Sequence, residues 1–249
     1  MQLIIKTTNK RPLLCLTAML WLILISFKAG ESVKISFYKK YSTAVPEPSD
    51  LCYAASGNSI FMVSDNGLLF ETDTTGKIIR ESAIRGIDFE GICMANNLLY
   101  ISDESARKVY CVDPSGLNII KTFNLQYSAG RNRGFESIVY HPQLKQFYLI
   151  SEKEPIVIRV YDENFNQVNE YNFNETGDIS GAAIYQNQLW LLSDEDHLVM
   201  KLDEKMGVVK KFDLKIHNPE GMCFDLSGNL TVLSDDMAKL YRFNAQQLQ

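Results

Sequence analysis

The chain has 249 residues, 46% hydrophobic and 11% aromatic, which is enough apolar surface for a substantial core and excludes a disordered or low-complexity protein. Acidic side chains outnumber basic ones 30 to 25, and the first 30 residues hold four of the basic ones and no acid, so residues 31–249 carry a balance of −9. So acidic a domain repels phosphate backbones, which excludes nucleic acid as an expected partner and favours cations or basic ligands.

The N-terminal stretch carries Lys6, Lys10 and Arg11, then an apolar run from Leu13 to Phe27 interrupted only by Thr17 and Ser26. A basic segment before about 15 apolar residues reads as a secretory signal, shorter than the ~20 residues that a spanning helix needs. Lys28-Ala29-Gly30 supplies small residues but no clean A-x-A cleavage pattern. Residues 1–30 are therefore expected to be a signal peptide or an N-terminal membrane anchor through residues 13–27. Either one exports residues 31–249, as a single domain, to the periplasm or the extracytoplasmic face of the cell membrane. Cys15 lies inside the apolar run, the wrong place for a lipoprotein cysteine. Of the four later cysteines, Cys93 and Cys223 occupy matching places in apolar strands, so buried free thiols are expected rather than disulfides.

From residue 50 onward one pattern recurs. The openers are Asp50-Leu51-Cys52-Tyr53-Ala54, Asp88-Phe89-Glu90-Gly91-Ile92, Gly134-Phe135-Glu136-Ser137-Ile138, Asp178-Ile179-Ser180-Gly181-Ala182 and Asn218-Pro219-Glu220-Gly221-Met222, spaced 38, 46, 44 and 40 residues apart. The closers Ser64-Asp65, Ser102-Asp103, Ser151-Glu152, Ser193-Asp194 and Ser234-Asp235 follow at 38, 49, 42 and 41. Between the markers lie two short apolar runs and a polar turn. After each closer come a third run, an Asp with a nearby Gly in most copies (Asp73 and Gly76, Asp113 and Gly116, Asp203 and Gly207), and a fourth run. Four strands in a repeat of roughly 40 residues mark a propeller blade. The expectation is an all-β, five-bladed β-propeller. The fifth copy ends at its third strand, Lys239 to Phe243, while Val33-Lys34-Ile35-Ser36-Phe37 alternates as a half-buried strand should. An N-terminal strand, these residues, is expected to complete the last blade and close the ring, because an unpaired edge would otherwise be exposed.

Blade topology sends both motifs of every repeat to one face. Asp50, Asp65, Asp88, Glu90, Asp103, Glu104, Glu136, Glu152, Asp178, Asp194, Glu195, Glu220, Asp235 and Asp236 all map there. Glu90, Glu136 and Glu220 share one register at the start of the innermost strand, with Ser180 and Cys52 in that register in the other two blades. Carboxylates about 5 Å apart repel by about 3 kcal/mol at an effective dielectric of 20. Such a cluster protonates, spreads apart or binds a cation. An all-oxygen set suits calcium better than zinc, so Glu90, Glu136 and Glu220 are the candidate metal ligands. The plain alternative is that they bond to backbone amides of neighbouring blades and tie the ring together. For the Ser-acid closers, capping of the strand-to-strand turn is the expected role, with Glu104, Glu152 and Glu195 as mouth-lining exceptions.

Other chemistries find no support. His141, His197 and His217 share no repeat position, and no pair has metal-ligand spacing. Gly177-Asp178-Ile179-Ser180-Gly181 lacks the G-x-S-x-G spacing of a nucleophile elbow and is itself a repeat opener. No P-loop or dinucleotide fingerprint occurs, so no catalytic or organic-cofactor residues are assigned. Arg131 and Arg133, after Tyr127-Ser128-Ala129-Gly130, sit in a longer link that either rims a ligand site or is an exposed loop.

The openers Asp-Phe-Glu-Gly-Ile, Gly-Phe-Glu-Ser-Ile and Asn-Pro-Glu-Gly-Met, together with Val63-Ser64-Asp65-Asn66 and Leu192-Ser193-Asp194-Glu195, resemble the SdiA-regulated (YjiK-like) family, which is distantly similar to NHL-repeat propellers. The resemblance covers residues 33 to 249. It implies a five-bladed propeller with a calcium site in an exported or membrane-associated protein. Blade one departs from the family's D-L-S-G-L opener at Cys52 and Tyr53. Two functions follow as expectations. One is a non-catalytic calcium-binding propeller that holds a small ligand or an envelope protein. The alternative is a calcium-dependent hydrolase of a lactone, ester or phosphoester working at the acidic mouth.

Overall fold

The computed structural model describes residues 31–126 and 134–249. The expected leader, residues 1–30, and the link with Arg131 and Arg133 lie outside the described residues. Among the described residues, no helix is long and apolar enough to cross a membrane.

Five sheets of the same plan make the five-bladed propeller. Blade one is Pro48–Tyr53, Ser59–Ser64, Leu68–Asp73 and Ile78–Glu81; blade two is Phe89–Ala95, Leu98–Asp103, Lys108–Asp113 and Asn118–Asn124. Blade three is Ser137–His141, Gln146–Ile150, Ile156–Asp162 and Gln167–Phe173; blade four is Gly181–Tyr185, Gln188–Ser193, Leu198–Leu202 and Val208–Asp213. Blade five has Pro219–Phe224, Leu230–Ser234 and Lys239–Phe243. Second strands such as Ser59–Ser64 are buried along their whole length, whereas the outer strand Asn118–Asn124 is almost wholly exposed. That gradient explains the sequence pattern: strands flanked on both faces read as continuous apolar runs, and outer ones do not.

The core is divided into five apolar clusters, one for each blade-to-blade interface. Trp190, Phe89, Phe135, Phe147, Phe212 and Phe243 are among the largest fully buried side chains. Each such side chain contributes roughly 1.5–3 kcal/mol by leaving water. The turns are local chemistry. Asn96 and Asn97, like Gln186 and Asn187, have positive φ (50° and 62°; 51° and 58°), as a two-residue type I′ hairpin requires. The repeated Asp of the outer turns folds them: Asp73 Oδ1 accepts from the amides of Thr75 (2.8 Å) and Lys77 (3.1 Å), and Gly76 supplies φ +87°. Cys52, Cys93, Cys111 and Cys223 are all buried and free, as expected.

An N-terminal strand does close the last blade, but it is Lys39–Ser42, antiparallel to Lys239–Phe243. The alternating stretch before it does something else. Val33–Lys34 adds a parallel edge to blade four, pairing with Phe212 and Asp213. Ile35 is buried in the interface of blades four and five, and the Phe37 ring stands 5.0 Å edge-on from Tyr241. Alternation therefore marked the residues that dock in a groove. The closing strand is an outer one in which Lys39, Lys40 and Ser42 are exposed, so it has no apolar period to detect.

Candidate cation site at the acidic mouth

The innermost strands of blades one, two and five each carry a register shift, at Ser49, Glu90 and Glu220. A bulge of this kind re-aims the extra residue. In blades three and four the equivalent residues precede the strand: Glu136 N–H donates to Ile150 O (3.0 Å) and Ser180 N–H to Leu192 O (3.0 Å). The column at the mouth is thus Ser49, Glu90, Glu136, Ser180 and Glu220. Cys52, expected in this column, lies deeper: by strand pairing Ser49 matches Glu90 and Asp50 matches Gly91, so the opener of blade one is offset by three residues from the others. All three glutamates are half-buried.

The structure brings one of them into a compact group. Carboxylate oxygens of Asp88, Glu90 and Glu104 all lie within 4.8 Å of one another, the one such group of metal-ligand side chains among the described residues. Asp88 begins the opener and Glu104 ends the closer of blade two. Their positions are fixed locally: Glu104 N–H donates to Asp88 O (2.9 Å), Ser105 Oγ donates to Asp88 Oδ2 (2.5 Å), and Gly134 N–H donates to Glu104 Oε1 (2.7 Å). Sequence reasoning placed Asp88 and Glu104 on this face without assigning them as ligands. The available signal was that opener and closer pair across one hairpin, which makes their flanking acids neighbours.

Glu136 and Glu220 belong to the same negative field. Burial, then Glu136, then the neighbouring Asp88 and Glu104, push the pKa of Glu90 well above the usual carboxylate range. Burial does the same to Glu136, followed by Glu104, Glu152, Glu220 and Asp88. Glu220 is pushed up to about 7 by burial, then by Asp194, Asp235, Glu152 and Asp178. Asp235 rises to about 6 through burial and then Glu47, Asp236 and Asp65. One cation is already in the ring: Lys153 Nζ lies 2.6 Å from Glu152 Oε1 and 3.7 Å from Glu195 Oε1.

Several acids mapped to this face turn out to be buried turn caps. Asp103 accepts from Ile87 N–H (3.0 Å) and Ala106 N–H (2.9 Å). Asp178 accepts from Ser193 Oγ (2.5 Å) and from the amides of Asp194 (2.9 Å) and Glu195 (3.2 Å). Capping, the expected role of the closers, holds for Asp103, and Asp178, an opener residue, caps the closer of its own blade. Asp50 is a different case. It is 1% exposed and sits one level below the mouth, where the other blades have Gly91, Ser137, Gly181 and Gly221. The inner strands touch there: a Cβ on Gly221 would fall 2.8 Å from Asp50 Cα, one on Gly181 2.8 Å from Glu220 O, and one on Gly91 2.7 Å from Ile138 N. Asp50 Oδ2 accepts from Ile92 N–H (2.9 Å), and Oδ1 is buried without a hydrogen-bond partner. Burial raises its pKa well above the usual range despite that bond.

A donor set made only of carboxylates, half-exposed and unfavourable as bare anions, fits a hard divalent cation. Among known proteins, the SdiA-regulated family model matches residues 28–244. No curated protein matches the sequence. Of solved structures, the glutaminyl cyclase of Myxococcus xanthus superposes with a TM-score of 0.67 at 13% identity, covering 86% of this chain and 98% of that one. A β-propeller domain from Myceliophteria thermophila gives a TM-score of 0.48 at 10% identity, covering 81% and 66%. At 13% identity the likeness to the cyclase extends to the fold alone.

Proposed function

The chain belongs to the SdiA-regulated family, and on that premise we propose that it is an exported, calcium-binding β-propeller of the cell envelope, which uses its acidic mouth to hold a small ligand or a partner protein without catalysing a reaction. The observation that carries this reading is the Asp88, Glu90 and Glu104 group, with ligand oxygens within 4.8 Å of one another and no nitrogen or sulfur ligand among them. Glu136 and Glu220 extend the field, and either could complete the oxygen shell with main-chain carbonyls and water. Export is supported by the basic and then apolar leader, Lys6 to Phe27.

The bound ion would supply positive charge and free coordination positions to a ligand oxygen. The residues' own task is to be held in place for the ion, which the amide bond to Glu104 and the hydroxyl bond to Asp88 serve. A second reading, a calcium-dependent hydrolase of lactones, esters or phosphoesters, draws on one observation: Glu220, at about 7, is poised as a general acid or base at neutral pH.

The test is a calcium titration of the full chain by calorimetry after chelator treatment, repeated on the Glu90→Gln/Glu136→Gln double variant. Binding at micromolar or lower Kd, weakened at least about 100-fold in the variant, is the expected result. A wild type that binds no calcium removes the reading. Calcium-dependent turnover of an ester or phosphoester panel, lost in Glu220→Gln, would replace the non-catalytic reading with the hydrolase.

A further inference from the structure

Between the mouth and the other end of the same channel, neighbouring inner strands come into contact at the level of Asp50, Gly91, Gly181 and Gly221. Beyond that level it opens into a cavity of about 260 Å³, to which all five blades contribute. Tyr53, Tyr140 and Phe224 form part of its wall, and so do Cys52, Cys93 and Cys223. No Asp, Glu, Lys, Arg or His lines it. Leu226, 80% exposed, stands at its rim.

We propose that this cup is a second binding site, for a small uncharged molecule with an aromatic or apolar body and one hydroxyl or amide group. The volume lies just below the range of drug-sized pockets, which sets the ligand at on the order of ten non-hydrogen atoms. Charge is excluded by the wall: a buried ion would find no counter-charge there and would lose its hydration. The hydroxyls of Tyr53 and Tyr140 are already engaged, with Thr231 Oγ1 (3.0 Å) and Glu163 Oε1 (2.7 Å), so these residues offer the cup ring carbon. The polar handle comes from the main chain. Each innermost strand has a neighbour on one side only, so its other edge presents amides and carbonyls toward the axis, as the Ile92 N–H to Asp50 bond shows.

The thiols do not make this a metal site. Each is rooted in a different interface, Cys52 between blades one and two, Cys93 between two and three, Cys223 between five and one. They ring the cup without converging, and burial keeps all three protonated. They are soft, uncharged wall atoms beside aromatic rings, suited to dispersion contacts with a flat ligand.

The probe is 4-fluorophenol, titrated into the full chain and followed by fluorine NMR, with 4-fluorobenzoate as the charged control. Saturable binding of the phenol with Kd below about 1 mM is expected, with the benzoate at least about tenfold weaker. Cys93→Phe, which fills the wall, and Ala55→Trp, which lids the rim from an exposed position, should each weaken the phenol at least about fivefold. Glu90→Gln/Glu136→Gln should leave it unchanged, which separates this site from the calcium reading. Absence of saturable binding, equal binding of the benzoate, or wild-type binding by Ala55→Trp would overturn the proposal. Ala55→Trp carries the test by itself if Cys93→Phe does not fold.

Discussion

The two ends of the central channel are built from the same five strands, three or four residues apart, and hold opposite chemistry. At the mouth, Glu90 and Glu220 sit on bulges that turn them out of the blade-to-blade packing. In the cup the strands are regular, their side chains enter the interfaces, and the residues there are neutral: Cys52, Cys93, Val139, Ala183 and Cys223. One extra residue in a strand therefore decides whether a position meets solvent-exposed charge or the core. Between them lies the level of Asp50 and the glycines, where neighbouring inner strands touch.

The largest effect is expected from that level. Gly221→Ala would press a methyl group onto Asp50 Cα, a backbone atom with no freedom to yield, and should cost on the order of 3 kcal/mol in urea unfolding. Gly207→Ala, whose Cβ would meet only Asp203 side-chain atoms at 3.4 Å and beyond, should lie within about 0.5 kcal/mol of wild type. Equal costs for the two variants would show that the inner strands are not in contact at that level.

The next effect is electrostatic and confined to the mouth. Glu220 has a folded pKa, about 7, above its unfolded value, so the folded state holds its proton longer. Its contribution is fully present below the unfolded value near 4.5 and is lost as pH rises through about 7. Calcium-free protein should lose on the order of 2 kcal/mol between pH 5 and 8 from this group, and Glu220→Gln should remove that part of the slope. Calcium should oppose the loss, because the ion binds the ionised form. A thermal unfolding series over this range, with and without calcium, measures both. A flat profile in the wild type would mean the mouth is better solvated than its burial implies.

The smallest effect belongs to the cup. Cys93→Ala removes one wall atom and should cost about 1 kcal/mol, with no change in calcium affinity. A calcium effect from this substitution would break the separation of the two ends.

Much of the fold was legible in the chain. Opener and closer recur because every blade needs the same hairpin, and Asp73, Asp113 and Asp203 recur because each outer turn is folded by an aspartate side chain. The exposed closing strand carried no such mark. Glu90, Glu136 and Glu220 could be named as a register, but the partners that make a compact group, Asp88 and Glu104, depend on how a hairpin and the Gly134 amide bring three segments together.

By itself the sequence determined the number of blades, the face that carries the acids, and the burial of the cysteines, since each follows from periodicity and local turn chemistry that neighbouring residues encode. Tertiary structure decided which acids gather at the mouth and which are caps, that Asp50 is buried in a glycine level, and that Lys39–Ser42 closes the ring while Ile35 fills a groove. The reason is physical: a blade-to-blade contact and a closing strand are set by segments about 40 to about 200 residues apart in the chain, and no local period records them.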